Sequence, residues 1–84
     1  MAAQRYRLWL YRGMTRKGPD VEMNLDPKDD ARLRELLEER VKAVMGTLRL
    51  DLSAGWELHV RGLGGGPLHA RVSVDRSGRT VVRR

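Results

Sequence analysis

The chain has 84 residues, no cysteine and a formal net charge of +6, with 33% of residues charged and 40% hydrophobic. This length and composition suit one small globular domain and not a disordered chain, and the lack of cysteine excludes disulfides, thiolate metal sites and a cysteine nucleophile. No apolar run approaches the ~20 residues that span a bilayer. The start, Met1-Ala2-Ala3-Gln4-Arg5, is followed by no apolar signal region, so a cytoplasmic protein without a membrane segment is expected.

In the N-terminal third, Tyr6, Leu8 and Leu10 alternate with Arg5, Arg7, Trp9 and Tyr11, and Val21, Met23 and Leu25 alternate with Asp20, Glu22 and Asn24. Alternation of this kind is the pattern of half-buried strands. The turn-rich, basic segment Arg12–Pro19 between them predicts a hairpin. An amphipathic helix is expected over about 27–45, with Asp26 as N-cap and Pro27 at the first helical position. Its apolar stripe reads Leu33, Leu36, Leu37, Val41, Val44 and Met45, and Leu48 would extend it. The opposite side carries Lys28, Arg32, Glu35, Glu38, Glu39 and Lys42, with Glu38 and Lys42 at the spacing of a helix ion pair. Gly46 suits the stop. Residues 48–52 alternate too, and strand and helix extension both stay open there.

The remainder reads as a meander. Trp56, Leu58 and Val60 alternate with Glu57, His59 and Arg61, while Leu68, Ala70, Val72 and Val74 alternate with His69, Arg71, Ser73 and Asp75. Pairing His59 with His69 across the Gly62–Pro67 loop sets Trp56 against Val72, Leu58 against Ala70, Val60 against Leu68, and Glu57 beside Arg71. A slip of one residue would set Leu58 against Arg71, so this register is expected. The loop Arg76-Ser77-Gly78 then predicts a tight hairpin, with Asp75 opposite Arg79, Val74 opposite Thr80 and Val72 opposite Val82. The terminal Arg83 and Arg84 would protect a sheet edge. The expected architecture is α+β: one domain over residues 1–84, order roughly ββα(β)βββ, with one helix packed on one face of an antiparallel sheet.

No catalytic motif stands out. His59 and His69 would be neighbours, but a transition-metal site usually takes three or four ligands and no third is indicated apart from Glu57 or Asp75, so neither metal nor cofactor is expected. The glycine loop lacks the Lys-Ser/Thr ending of a phosphate loop and opens no helix. The carboxylates cluster on the helix, where capping and solvation explain them, and the expectation is a protein that is not an enzyme.

The charge distribution is more informative. Residues 1–19 hold Arg5, Arg7, Arg12, Arg16 and Lys17 with no acid, the helical segment is net acidic, and the C-terminal half is basic again. Such asymmetry marks polyanion-binding surfaces, although arginine-rich coding gives the same excess. The solvent face of the sheet would present Arg61, Arg71, Arg79 and Arg83 with both histidines, joined by Arg5, Arg7, Trp9 and Tyr11. Guanidiniums contact phosphates and exposed rings stack on bases. The expected site is therefore Arg5, Arg7, Trp9, Tyr11, Arg12, Arg16, Lys17, Arg61, Arg71 and Arg79, on a nucleic-acid-binding domain. The alternative is a small interaction or regulatory subunit whose basic face meets an acidic protein, or whose uncovered sheet face pairs in a homodimer through Trp9, Tyr11 and Val81.

Overall fold

The structure, a computed structural model, describes residues 4–46, 55–63 and 66–84. The elements run β1 (Gln4–Arg12), β2 (Thr15–Arg16), β3 (Val21–Leu25), α1 (Asp30–Met45), β4 (Trp56–Gly62), β5 (Leu68–Val74) and β6 (Thr80–Arg83). One helix packs on a six-stranded antiparallel sheet of order β2-β1-β4-β5-β6, and β3 also pairs with β1. Residues 48–52 lie outside the described residues.

β1 organises the sheet. Its first half pairs with β3, from Gln4 opposite Leu25 to Leu8 opposite Val21, and its tip pairs with β2, where Tyr11 faces Arg16. The two-residue turn Gly13–Met14 closes that tip. The expected hairpin is therefore present, interrupted at Lys17–Asp20, where the Lys17 N–H still donates to the Leu10 carbonyl at 2.8 Å. Gly18 has φ 72, and a Cβ there would lie 2.9 Å from Val44 Cγ2, so the interruption passes close beneath the last turn of α1. The other edge of β1 pairs with β4, from Tyr6 opposite Gly62 to Arg12 opposite Trp56.

The helix starts three residues later than its sequence suggested. Asp26 makes a turn: its carboxylate accepts the Lys28 N–H at 2.9 Å and its carbonyl the Asp29 N–H at 3.0 Å. Asp29 is the N-cap, accepting the Arg32 N–H at 3.2 Å. Both aspartates are competent caps. After Leu25 is buried, the chain must first turn back to cross the sheet, and Pro27, which lacks an N–H, takes its place in that turn. Gly46 ends the helix as expected. Leu33, Leu36, Leu37 and Val41 are buried and Val44 is half-buried, whereas Met45 is 45% exposed and leaves the stripe. The ion pairs on the outer face run from Arg32 to Glu35 and Glu39, not from Glu38 to Lys42.

Under the helix lie Tyr6, Leu8 and Leu10 of β1, Leu25 of β3, Trp56, Leu58 and Val60 of β4, and Ala70, Val72 and Val74 of β5. No charged residue is buried among the described residues. The pairing of β4 with β5 departs from expectation. His59 faces Arg71, not His69; Leu58 faces Val72, Val60 faces Ala70, and Glu57 faces Ser73. The difference is two residues, which keeps every side chain on its face, so alternation does not distinguish the two registers. A bulge between Val60 and Arg61 brings Arg61 opposite Leu68 and leaves His69 as the extra residue, packed edge-on to Tyr6 at 5.0 Å. The second hairpin matches its expected register, with Val74 opposite Thr80 and Val72 opposite Val82. Gly78 supplies the left-handed residue at φ 83 that this turn requires. Among the described residues, no helix is long and apolar enough to cross a membrane.

Leu37 is fully buried, and Leu37→Ala is expected to cost about 2–5 kcal/mol in denaturant unfolding. In the second hairpin, the Asp75 carboxylate accepts from the Ser77 hydroxyl at 2.6 Å and from the Ser77 and Arg79 N–H groups at 2.9 and 3.0 Å. The Ser77 hydroxyl foremost holds it below the usual carboxylate range. A folded-state depression means that stability is gained above the unfolded-state pKa and lost as pH falls through the folded one. Asp75→Ala is thus expected to melt below the wild type at neutral pH, with the two melting temperatures converging in acid.

Candidate nucleic-acid interface

The face of the sheet turned away from α1 is ordered by the strand registers. Trp9 lies opposite His59, His59 opposite Arg71, and Arg71 opposite Arg83, making one row across β1, β4, β5 and β6. At the usual strand spacing this row is about 14 Å long. On one side of it runs Arg16, Tyr11, Glu57, Ser73 and Val81. On the other side run Glu22, Arg7 and Arg61.

Aromatic groups gather at the β1 end. The Tyr11 and His59 rings lie 4.5 Å apart at a 37° tilt. The guanidiniums of Arg16 and Arg61, from the strands on either side of β1, each lie 5.3 Å from the Trp9 ring centre. Cations over an indole are held by its ring quadrupole, which presents both charges next to a flat apolar surface. His59 is oriented by Glu57, 2.6 Å from its Nε2. Against a carboxylate that nitrogen donates, and in the neutral ring Nδ1 is left as an acceptor. His59 Nδ1, Trp9 Nε1 and Arg61 Nε are buried without a hydrogen-bond partner. Buried polar atoms are rarely left in that condition.

The arginines differ in their commitments. Arg7 Nη2 is 2.6 Å from Glu22, its Nε is 3.3 Å from Asp20, and Arg5 Nε is 3.5 Å from Glu22. The hydrogen bond between Arg7 and Glu22 is the main cause that raises the Arg7 pKa and lowers that of Glu22. Arg71 Nε is 3.1 Å from Glu57. Arg16, Arg61 and Arg83 have no carboxylate within ion-pair distance among the described residues. Arg12 lies over the Trp56 ring at 5.2 Å, at the rim of the covered face and away from Trp9. Lys17 and Arg79 stand at opposite margins of the sheet, beyond β2 and before β6.

The structure thus brings Trp9, Tyr11, Arg16, Arg61 and Arg71 together, sets Arg12, Lys17 and Arg79 apart, and pairs Arg5 and Arg7 with acids. The sequence reading left His59 and Arg83 out of the site, and it overlooked Asp20 and Glu22 as partners. The antiparallel match of Leu8 with Val21 carried that signal, because it sets Arg7 opposite Glu22. Comparison of the chain with protein-family models, with curated proteins and with solved structures gives no match.

Carboxyl-detected NMR is the check on the paired arginines. Glu22 is expected to titrate below the ordinary glutamate range in the wild type and to move back toward it in Arg7→Gln.

Proposed function

We propose that this protein is a non-enzymatic nucleic-acid-binding domain that takes a strand across its open sheet face. The observation that carries the reading is the row Trp9, His59, Arg71 and Arg83, aromatic at one end and cationic at the other. Bases stack on aromatic faces whatever their identity, and guanidiniums contact the phosphates between them. Tyr11 and His59 supply a ring platform beside Trp9, while Arg16 and Arg61 supply charge next to the indole. The unpartnered Trp9 Nε1 and Arg61 Nε donors and the His59 Nδ1 acceptor offer hydrogen bonds to base edges once a ligand displaces the side chains above them.

The test is a titration with fluorescent single- and double-stranded oligonucleotides at several salt concentrations. Three phosphate contacts, from Arg16, Arg61 and Arg83, which have no carboxylate partner among the described residues, give a slope of about −2.1 on single strands, or roughly 130-fold in affinity per tenfold rise in salt. Arg61→Gln is expected to remove about 0.7 from that slope, and Arg7→Gln far less, because Arg7 is already neutralised. Trp9→Ala is expected to lose about 1–3 kcal/mol of binding with the fold intact. Absence of saturable binding at low salt would overturn the reading. If sedimentation then showed a wild-type dimer that Trp9→Ala dissociates, the face would instead be a contact between two copies of the chain.

A further inference from the structure

The β1–β2 hairpin ends in an apolar side chain. Met14 is fully exposed, more so than any other large hydrophobic residue among those described. The turn has two residues, and φ is positive at Gly13 (62) and at no residue other than glycine, the pattern of a type II′ turn. Such a turn requires the glycine. At the position after it, turn chemistry favours small polar residues such as asparagine, aspartate and serine, so local folding does not call for a methionine. A single exposed apolar side chain is ordinary on a protein surface. What sets this one apart is its setting.

Arg12, one rung behind the turn, faces Thr15, and on the next rung Tyr11 faces Arg16. Successive rungs of a strand pair project to opposite faces, and the two guanidiniums follow that rule. Arg12 lies 5.2 Å from the ring centre of Trp56, a core residue on the helix side, and Arg16 lies 5.3 Å from that of Trp9 on the open side. Met14 therefore stands at the end of a ribbon with a cation on each face. Neither cation is neutralised: the sequence holds no acid before Asp20, and neither arginine has a carboxylate within ion-pair distance among the described residues. The tip is also held in place. The Gly13 N–H donates to the Gly55 carbonyl at 2.8 Å, next to the start of β4, and the Lys17 N–H donates to the Leu10 carbonyl of β1 at 2.8 Å.

An unbranched apolar side chain between two cations has the parts of a wedge. Side chains such as methionine enter between stacked bases and open the step, while neighbouring cations contact the phosphates. An anionic bilayer also sets an apolar layer beneath charge, but a single myristoyl chain binds it only marginally, and one methionine buries far less. Tyr11 and Arg16 favour nucleic acid, because they belong both to this hairpin and to the aromatic end of the open face. We infer that Met14 is a wedge that enters between two stacked bases of the bound nucleic acid, with Arg12 and Arg16 on the flanking phosphates. This deepens the strand-binding reading and rests on it, and it gives Arg12, which lies off the open face, a place in the contact.

The experiment follows the Met14 methyl resonance of the full chain during titration with single- and double-stranded oligonucleotides. Each carries, at one of several positions, a fluorescent adenine analogue that is dark when stacked and bright when unstacked. Vesicles of anionic phospholipid serve as a parallel titrant. Insertion between bases is expected to move the methyl upfield through ring currents and to brighten the analogue. Met14→Ser, at a fully exposed position, is expected to keep the wild-type amide spectrum away from the tip. It is expected to weaken binding about tenfold, the size of burying one such side chain, and to abolish the brightening, whereas Met14→Leu retains both. Oligonucleotide binding that leaves the methyl unshifted, or that Met14→Ser neither weakens nor darkens, would overturn the wedge and leave the strand-binding reading standing. Absence of saturable oligonucleotide binding would remove both, and a methyl shift with vesicles alone would assign the tip to a membrane surface.

Discussion

Leu33, Leu36, Leu37 and Val41 form a single apolar stripe, and the one helix that carries it crosses a sheet of six strands. That ratio governs the rest of the molecule. Among the described residues that helix covers one face, and the long strands turn most of their apolar residues toward it. Tyr6, Leu8, Leu10, Trp56, Leu58, Val60, Ala70, Val72 and Val74 do so. The period-two geometry of strands then sends the intervening residues to the other side, and in this sequence those are largely arginines and aromatic residues. The charged face is therefore tied to the core: the same alternation that fills the interior assembles the row from Trp9 to Arg83.

How much of this is legible in the sequence depends on what each pattern can distinguish. Alternation assigns residues to faces, so the inward set and the outward Arg7, Trp9 and Arg61 could be read directly. It is blind to slips of two, which is why the expected pairing of His59 with His69 gave way to His59 with Arg71 and a bulge. The Asp75–Arg79 turn was legible because turn chemistry fixes register locally, through a carboxylate with three donors and a glycine at φ 83. The Gly62–Pro67 segment offers no carboxylate, amide or hydroxyl side chain of that kind in its sequence. At the helix start, Asp26 and Asp29 are chemically equivalent caps, and only the need to turn after Leu25 separates them.

Charge is the harder quantity to read along a chain. The acid-free first segment suggested that Arg5 and Arg7 were available, but antiparallel pairing brings Asp20 and Glu22, distant in sequence, onto them. The formal excess of the segment therefore overstates the charge it presents. Arg16, Arg61 and Arg83 come from three different strands and none is remarkable in its own local window. Their common feature, the lack of a carboxylate neighbour among the described residues, exists only in the folded sheet. Exposed ion pairs contribute little to stability. Their larger effect here is to decide which cations remain available on the face.

The close passage of Gly18 beneath Val44 makes one short segment serve both faces of the sheet. A Cβ at this position would lie only 2.9 Å from the Val44 methyl, so the interruption between β2 and β3 leaves no room there for a side chain. Asp20, two residues further on, is one of the acids that hold Arg7. One short segment thus lies against the end of α1 and also supplies an acid to the opposite face of the sheet.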